Sequence, residues 1–108
     1  MPGHRSPRFF EAARIFSEKV YAVRRARGLT QEQLGEMTGM SRNQIQNIEH
    51  NRSNARDQYG NVGTMNARLD TVFSLASALG VDVTYLVDPD RPIEPIPGSD
   101  TARQLSDL

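Results

Sequence analysis

Residues 30–49, TQEQLGEMTGMSRNQIQNIE, contain the pattern that decides the fold of this chain. Thr30 and Gln33 have the spacing of a capping box, in which the Thr hydroxyl accepts from the N3 amide and the Gln side chain accepts from the N-cap amide. Ser41 and Gln44 repeat this spacing. The stretch is therefore predicted to contain two short helices, one beginning after Thr30 and one after Ser41.

Two glycines indicate how these helices are joined and packed. Gly39 lies where the first helix must end, and we expect a left-handed backbone conformation there, which glycine adopts without steric cost. Gly35 lies in the middle of the first helix, where glycine costs roughly 1 kcal/mol relative to alanine. We expect a close helix crossing at Gly35 to compensate for that cost.

Each helix also has an apolar side. Leu34 and Met37 lie on one side of the first helix, and we expect both to face a core. Ile45 and Ile48 play the same part on the second helix. Its opposite side carries hydrogen-bonding residues with one fixed charge: Arg42, Asn43, Gln46, Asn47 and His50. Because such a face can read the edges of DNA bases, the pair is predicted to be a helix-turn-helix.

Three features of the chain resemble the Cro and phage-repressor type of helix-turn-helix, also called the xenobiotic-response-element family. They are GLTQEQLGEMTGMSRNQIQNIEHNR at residues 28–52, the preceding Arg24, and LDTVFSLASALGVDVTYLV at residues 69–87. The resemblance implies an all-α, five-helix, lambda-repressor-like DNA-binding domain. Two features depart from the family pattern: Gly35 replaces the usual alanine, and the connection at residues 51–68 is longer than usual.

The resemblance also implies which residues contact DNA. The helix at residues 42–50 enters the major groove, and its base-reading positions are Arg42, Asn43, Gln46 and Asn47. Phosphate contacts are expected from the start of the preceding helix, where terminal amides attract anions, and from residues around and beyond the reading helix: Gln31, Gln44, Arg52, Asn54 and Arg56. A structural ion pair is expected between Arg24 and Glu49, with two unpaired surface side chains as the alternative.

The first helix is predicted to be extended, covering residues 7–27, after a disordered N-terminus at residues 1–7. Its apolar residues recur at three- and four-residue spacings: Phe9, Phe10, Ala13, Phe16, Val20 and Val23. Phe9 and Phe10 are candidates for the core, for a dimer contact, or for both. Arg24, Arg25 and Arg27 lie in the last turn, where cations are favourable, and Gly28 ends the helix.

Beyond the helix-turn-helix at residues 30–50, the polar connection at residues 51–68 is predicted to be either functional or a mobile insertion. Asp70 is expected to cap a fourth helix and Asp82 a short fifth one. In the family this region also forms the dimer contact, so core packing and dimerisation both remain open for Tyr85, Leu86 and Val87. The domain is predicted to cover residues 8–88.

Residues 89–108 form a Pro-rich tail that is expected to be flexible, because four prolines, at 89, 92, 95 and 97, disfavour regular structure. Ile93 and Ile96 are nevertheless apolar. Docking of these two residues on the body or on a second subunit is the alternative.

Composition and charge limit the class of protein. A chain of 108 residues is one domain, and the absence of cysteine excludes disulfides and cysteine metal sites. The formal net charge is zero, but residues 1–56 hold ten basic and five acidic residues (+5), and residues 57–108 hold three and eight (−5). This asymmetry favours binding to a polyanion through the basic half.

Other functional classes have weak support in the sequence. His4 and His50 have no second ligand at a metal-binding spacing, and no nucleophile elbow or catalytic triad order is visible. We therefore predict no enzyme, no metal and no cofactor. No apolar run is long enough to cross a bilayer and the N-terminus lacks a secretory signal, so no membrane partner and a cytoplasmic location are expected.

The predicted function is a sequence-specific regulator of transcription, acting as a repressor, which binds double-stranded DNA as a homodimer on an inverted repeat. Two alternatives remain open. The chain could be the antitoxin of a toxin–antitoxin pair, with the N-terminal extension or the tail binding the toxin. It could also be a protein-binding adaptor on the transcription machinery, although the polar reading face argues against this.

Overall fold

The computed structural model describes residues 7–52 and 67–98 of the chain. These residues form five helices: α1 (Pro7–Ala26), α2 (Gln31–Thr38), α3 (Arg42–Glu49), α4 (Leu69–Leu79) and α5 (Val83–Val87). No strand occurs in these two ranges, and the predicted all-α, five-helix fold is confirmed. Of the predicted disordered N-terminus, Pro7 begins α1, and the residues before it lie outside the described part.

A single core fixes the helices relative to one another. α1 packs against α3, α4 and α5, while α2 packs against α3 and α4. Burial of each large aliphatic side chain contributes about 1.5–3 kcal/mol, and the buried members come from all five helices: Phe16, Val20, Val23, Leu34, Ile45, Ile48, Val72, Leu75, Ala76, Leu79, Tyr85 and Leu86. Since α3 contributes Ile45 and Ile48, its opposite face is left toward solvent.

Both capping boxes form as predicted. The Gln33 amide donates to Thr30 Oγ1 at 3.0 Å, and the Thr30 amide donates to Gln33 Oε1 at 2.8 Å. The corresponding distances for Ser41 and Gln44 are 3.1 and 2.7 Å. Gly39 ends α2 with a φ of 74°, the expected left-handed conformation. The start of each helix in the motif is thus set by its own local sequence.

The packing of α2 differs from the sequence prediction at two positions. Met37 is 54% exposed, so the prediction that it faces the core is wrong. The buried side of α2 instead passes through Leu34 and Gly35 to half-buried Thr38, whose Oγ1 donates to the Leu34 carbonyl at 2.8 Å. A Cβ on Gly35 would collide with the carbonyl oxygen of Met40. The close approach at Gly35 is therefore to the turn between α2 and α3, and not to a crossing helix.

The fourth helix begins two residues earlier than a cap at Asp70 would allow. Its N-cap is Arg68, which makes no side-chain capping bond. Asp70 lies in the first turn, where its Oδ1 accepts from the Thr71 amide at 2.8 Å. The prediction of Asp70 as the cap is therefore wrong, although a negative charge in the first turn is still favourable there.

A buried lysine binds the backbone carbonyls at the C-terminal end of α5. Lys19 of α1 is fully buried, and its Nζ donates to the carbonyl oxygens of Tyr85 at 2.5 Å and Asp88 at 3.0 Å. These carbonyls are at the C-terminal end of α5, where a cation is favourable. Burial lowers the pKa of Lys19, while the nearby charge of Asp88 partly opposes that shift. Sequence reasoning did not anticipate this contact, because the two helices are far apart in the chain.

The C-terminal strap, residues 89–98, is packed on the body. Ile96 contacts the core cluster, and the Tyr85 hydroxyl donates to the Ile93 carbonyl at 2.6 Å. Arg27 donates to the Pro97 carbonyl. For the strap these contacts correspond to the alternative left open by the sequence, docking on the body, because proline carbonyls still accept hydrogen bonds and Ile96 has apolar surface to bury. Residues 99–108 lie outside the described part.

Candidate nucleic-acid interface

The outward face of α3 carries the four side chains that the sequence predicts to read bases. Ile45 and Ile48 are buried on the inward face. Residues three and four apart share one side of a helix, so Arg42 and Asn43 lie beside Gln46 and Asn47, one turn further along α3. Exposure falls along this face from the exposed Arg42 and Asn43 to the half-buried Gln46 and Asn47.

A buried ion pair fixes the C-terminal end of α3. Arg24 of α1 donates from Nε to Glu49 Oε2 at 2.5 Å and from Nη2 to Glu49 Oε1 at 3.1 Å. Its Nη1 also donates to the Leu29 carbonyl at 2.8 Å. The two side chains are only 9% and 1% exposed, so the alternative of two surface side chains does not hold. The bidentate geometry ties α3 to α1 and to the turn before α2.

Two of the residues expected to contact phosphate have structural partners as well. Gln31 is half-buried, and its Nε2 donates to Glu49 Oε1 at 3.1 Å. The side-chain oxygen Oε1 of Gln44 accepts from the Ser41 amide in the capping box. Each amide nitrogen carries two N–H groups. Both side chains are therefore held in place by one hydrogen bond while retaining a donor.

Directly after α3 the chain turns through Asn51, whose φ of 55° is left-handed. The turn is closed by the Arg52 amide, which donates to the Asn47 carbonyl at 2.8 Å. This places the exposed Arg52 beside the last turn of α3. The remaining predicted phosphate contacts, Asn54 and Arg56, lie outside the described residues.

Comparison with known proteins agrees with this geometry. A family model described as a helix-turn-helix domain matches residues 17–88, more than half of the chain. The chain belongs to the helix-turn-helix domain family. The match begins inside α1 and ends after α5, so it leaves out the first turns of α1 and the C-terminal strap. No curated protein matches the chain.

Three arginines at the end of α1 have different surroundings in this helix-turn-helix domain. Arg24 is buried against Glu49. Arg27 donates from Nε to the Leu79 carbonyl at 2.9 Å and so stabilises the end of α4. Arg25 is exposed and stacks on Tyr21, with its guanidinium carbon 5.7 Å from the ring centre. Sequence reasoning grouped all three together, although the four-residue spacing of Tyr21 and Arg25 is a signal for their contact.

An open cleft of about 610 Å³ lies where α1 ends and where α2 and α3 begin. We call it the helix-start cleft, and its lining residues are Arg24, Arg25, Gly28, Leu29, Thr30, Gln31, Glu32 and Arg42. Arg42 Nε lies 3.6 Å from Glu32 Oε1, and both side chains are mostly exposed. The cleft thus adjoins the N-terminal end of α3.

Two other kinds of site are absent from the described residues. In residues 7–52 and 67–98, no group of three or more His, Cys, Asp or Glu side chains is placed to hold a metal ion. Within the same ranges, none of the helices combines the length and apolar character required to cross a membrane.

Proposed function

We propose that this helix-turn-helix protein is a sequence-specific, double-stranded DNA-binding regulator of transcription of the Cro and phage-repressor type, acting as a repressor. The observation that carries the proposal is the two-sided character of α3. Its inward side is anchored by Ile45, Ile48 and Glu49, while its outward side presents donors and acceptors to solvent. A rigid helix with that outward face is suited to the major groove.

In this mechanism α3 enters the major groove with its N-terminal end first. Arg42 has the fork geometry to bind O6 and N7 of guanine, and the amides of Asn43 and Asn47 can pair with N6 and N7 of adenine. Each such pair contributes about 1–3 kcal/mol of discrimination against a wrong base. Gln46 lies between them on the same face and contacts the neighbouring base edge.

The residues around α3 bind the DNA backbone and set the register of the helix. Gln31 lies at the start of α2, where free backbone amides favour a phosphate. Its contact with Glu49 orients the side chain before DNA arrives. Arg52 follows α3 and is exposed, while Gln44 offers the N–H groups of its side-chain amide. These contacts supply affinity on any sequence and are sensitive to salt.

The regulator is proposed to act as a homodimer on an inverted repeat. A helix of eight residues reaches only a few base pairs, and two copies on half-sites one helical turn apart supply a longer site. Tyr85 and Leu86 are fully buried in the core, which leaves the exposed Phe10, Phe73 and Val87 as dimer candidates. Sedimentation that found only monomer, both free and on DNA, would contradict the dimer.

The test of base reading compares two substitutions on two DNAs. We expect Asn47→Ala to weaken binding to the preferred site far more than binding to random duplex. Arg52→Ala is expected to weaken both and to lower the salt dependence of log K by roughly one unit. Equal weakening on both DNAs for Asn47→Ala would contradict its assignment as a base-reading residue. Thermal unfolding of each variant checks that the fold is retained.

A further inference from the structure

On the outer side of α1, the ring of Tyr21 lies beside two arginines: the guanidinium carbon of the buried Arg24 is 5.4 Å from the ring centre, and the exposed Arg25 contacts the ring as well. The Arg25 guanidinium carbon lies 5.7 Å from the centre of the Tyr21 ring, and Arg25 Nη1 donates to the Tyr21 hydroxyl at 3.4 Å. A cation over an aromatic face is attracted by the ring quadrupole. The contact restricts the rotamers of a long side chain, so Arg25 is held at a defined place although it is exposed.

That place is the edge of the helix-start cleft. Arg25 lines the cleft from the side of α1, and Arg42 lines it from the side of α3. When α3 lies in a major groove, the first helix of the motif, α2, crosses the sugar–phosphate backbone. The backbone strand next to α2 therefore passes the opening of this cleft.

The charges in the cleft single out Arg25. The guanidinium of Arg24 is neutralised by Glu49, and that of Arg42 has Glu32 3.6 Å away. Within residues 7–52 and 67–98, Arg25 makes no ion pair with a carboxylate. An oriented guanidinium without a counter-charge, next to the expected path of a polyanion, is ready to bind an anion.

We propose that Arg25 binds a backbone phosphate of the DNA, with Tyr21 as its positioning residue, so that the DNA contact extends from the helix-turn-helix onto α1. This inference rests on the DNA binding proposed above. Guanidinium N–H groups match two oxygens of one phosphate in parallel. Because a phosphate contact carries no sequence information, the residue contributes affinity and register and leaves base preference unchanged.

The test is a salt series of dissociation constants for Arg25→Gln, on the preferred site and on random duplex of the same length. We expect the slope of log K against log salt to fall by about 0.9 for each phosphate that the variant no longer binds, with the same factor of weakening on both DNAs. Arg14→Gln is the matched control, since it removes one exposed arginine from the same helix. Arg14 is paired with Glu18 at 2.9 Å, and its removal is expected to leave slope and affinity unchanged.

Two further variants separate charge from positioning. Arg25→Lys keeps the charge but removes the planar stacking group, so it should retain the slope and bind more weakly. Tyr21→Phe should do the same, because it keeps the ring beside Arg24 and removes only the hydroxyl that accepts from Arg25. Wild-type slope and affinity in Arg25→Gln, with wild-type protein that does bind DNA, would overturn this inference and leave the proposed function intact. Wild-type protein without salt-dependent DNA binding would overturn both.

Discussion

Glu49→Gln is the substitution whose effect follows most directly from the geometry of the domain. The change keeps the shape of the side chain and removes its charge. The Glu49 carboxylate accepts three hydrogen bonds, two from Arg24 and one from Gln31. All three partners are donors, whereas a glutamine has a single acceptor oxygen and an NH₂ group that can only donate. In either orientation of the new amide, at least one donor faces another donor.

The expected decrease in stability is large because both side chains of the ion pair are buried. Glu49 has 1% of its side chain exposed and Arg24 has 9%, so the guanidinium would keep its charge without a carboxylate to neutralise it, and its remaining acceptors would be the glutamine oxygen and the Leu29 carbonyl. Removal of one member of a buried ion pair costs roughly 3–5 kcal/mol. At roughly 4–8 °C per kcal/mol for a small domain, a cost at the lower bound corresponds to a fall of roughly 12–24 °C in Tm.

Chemical denaturation and thermal unfolding of the variant and a control would measure this effect. Glu18→Gln is the matched control, since Glu18 also pairs with an arginine, Arg14, but both side chains are about half exposed. Exposed pairs at this helical spacing contribute only about 0.3–0.5 kcal/mol. If Glu49→Gln changed the free energy of unfolding by no more than Glu18→Gln does, the structural role assigned to the buried pair would be refuted.

Three other substitutions test separate parts of the molecule. Gly35→Ala should lower the free energy of unfolding by roughly 1–3 kcal/mol despite the better helix propensity of alanine, because the new methyl group collides with the Met40 carbonyl. Glu36→Ala, on the exposed side of α2, is the control in the same unfolding measurement. Tyr85→Phe should lower the free energy of unfolding by about 1 kcal/mol, because it removes the hydroxyl that donates to the Ile93 carbonyl. Faster amide hydrogen exchange confined to the strap would show that the loss comes from weaker docking of the strap. Glu32→Gln should strengthen binding severalfold on any DNA, because it removes a negative charge from the helix-start cleft; unchanged affinity would contradict the placement of a phosphate there.

The sequence was informative wherever structure depends on neighbouring residues. The capping boxes at Thr30 and Ser41 and the left-handed Gly39 follow from side chains within three or four positions of each other. The division of α3 into a buried and an exposed side follows from its helical spacing alone. The face proposed to read DNA could therefore be defined before the structure was known.

Features that depend on contacts distant in sequence were not predictable in this way. Burial of Lys19 requires that the end of α5 lie against α1, and no pattern of neighbouring residues predicts this contact between the two helices. The exposure of Met37 depends on which side of α2 packs against α4. From the helical spacing alone, Met37 could have been buried together with Leu34, but the buried side passes through Leu34 and Thr38 instead. Docking of the strap through Ile96 depends in the same way on surface that other helices provide.

Selection of binding sites from randomised duplex DNA at near-physiological salt tests the reading of DNA by α3 most directly. A dimer that reads sequence predicts enrichment of an inverted repeat with half-sites about one helical turn apart, and substitution of Arg42, Asn43 or Asn47 should relax the preference at particular positions of the half-site. Absence of any enriched sequence, with only weak and salt-sensitive binding, would contradict a sequence-reading α3.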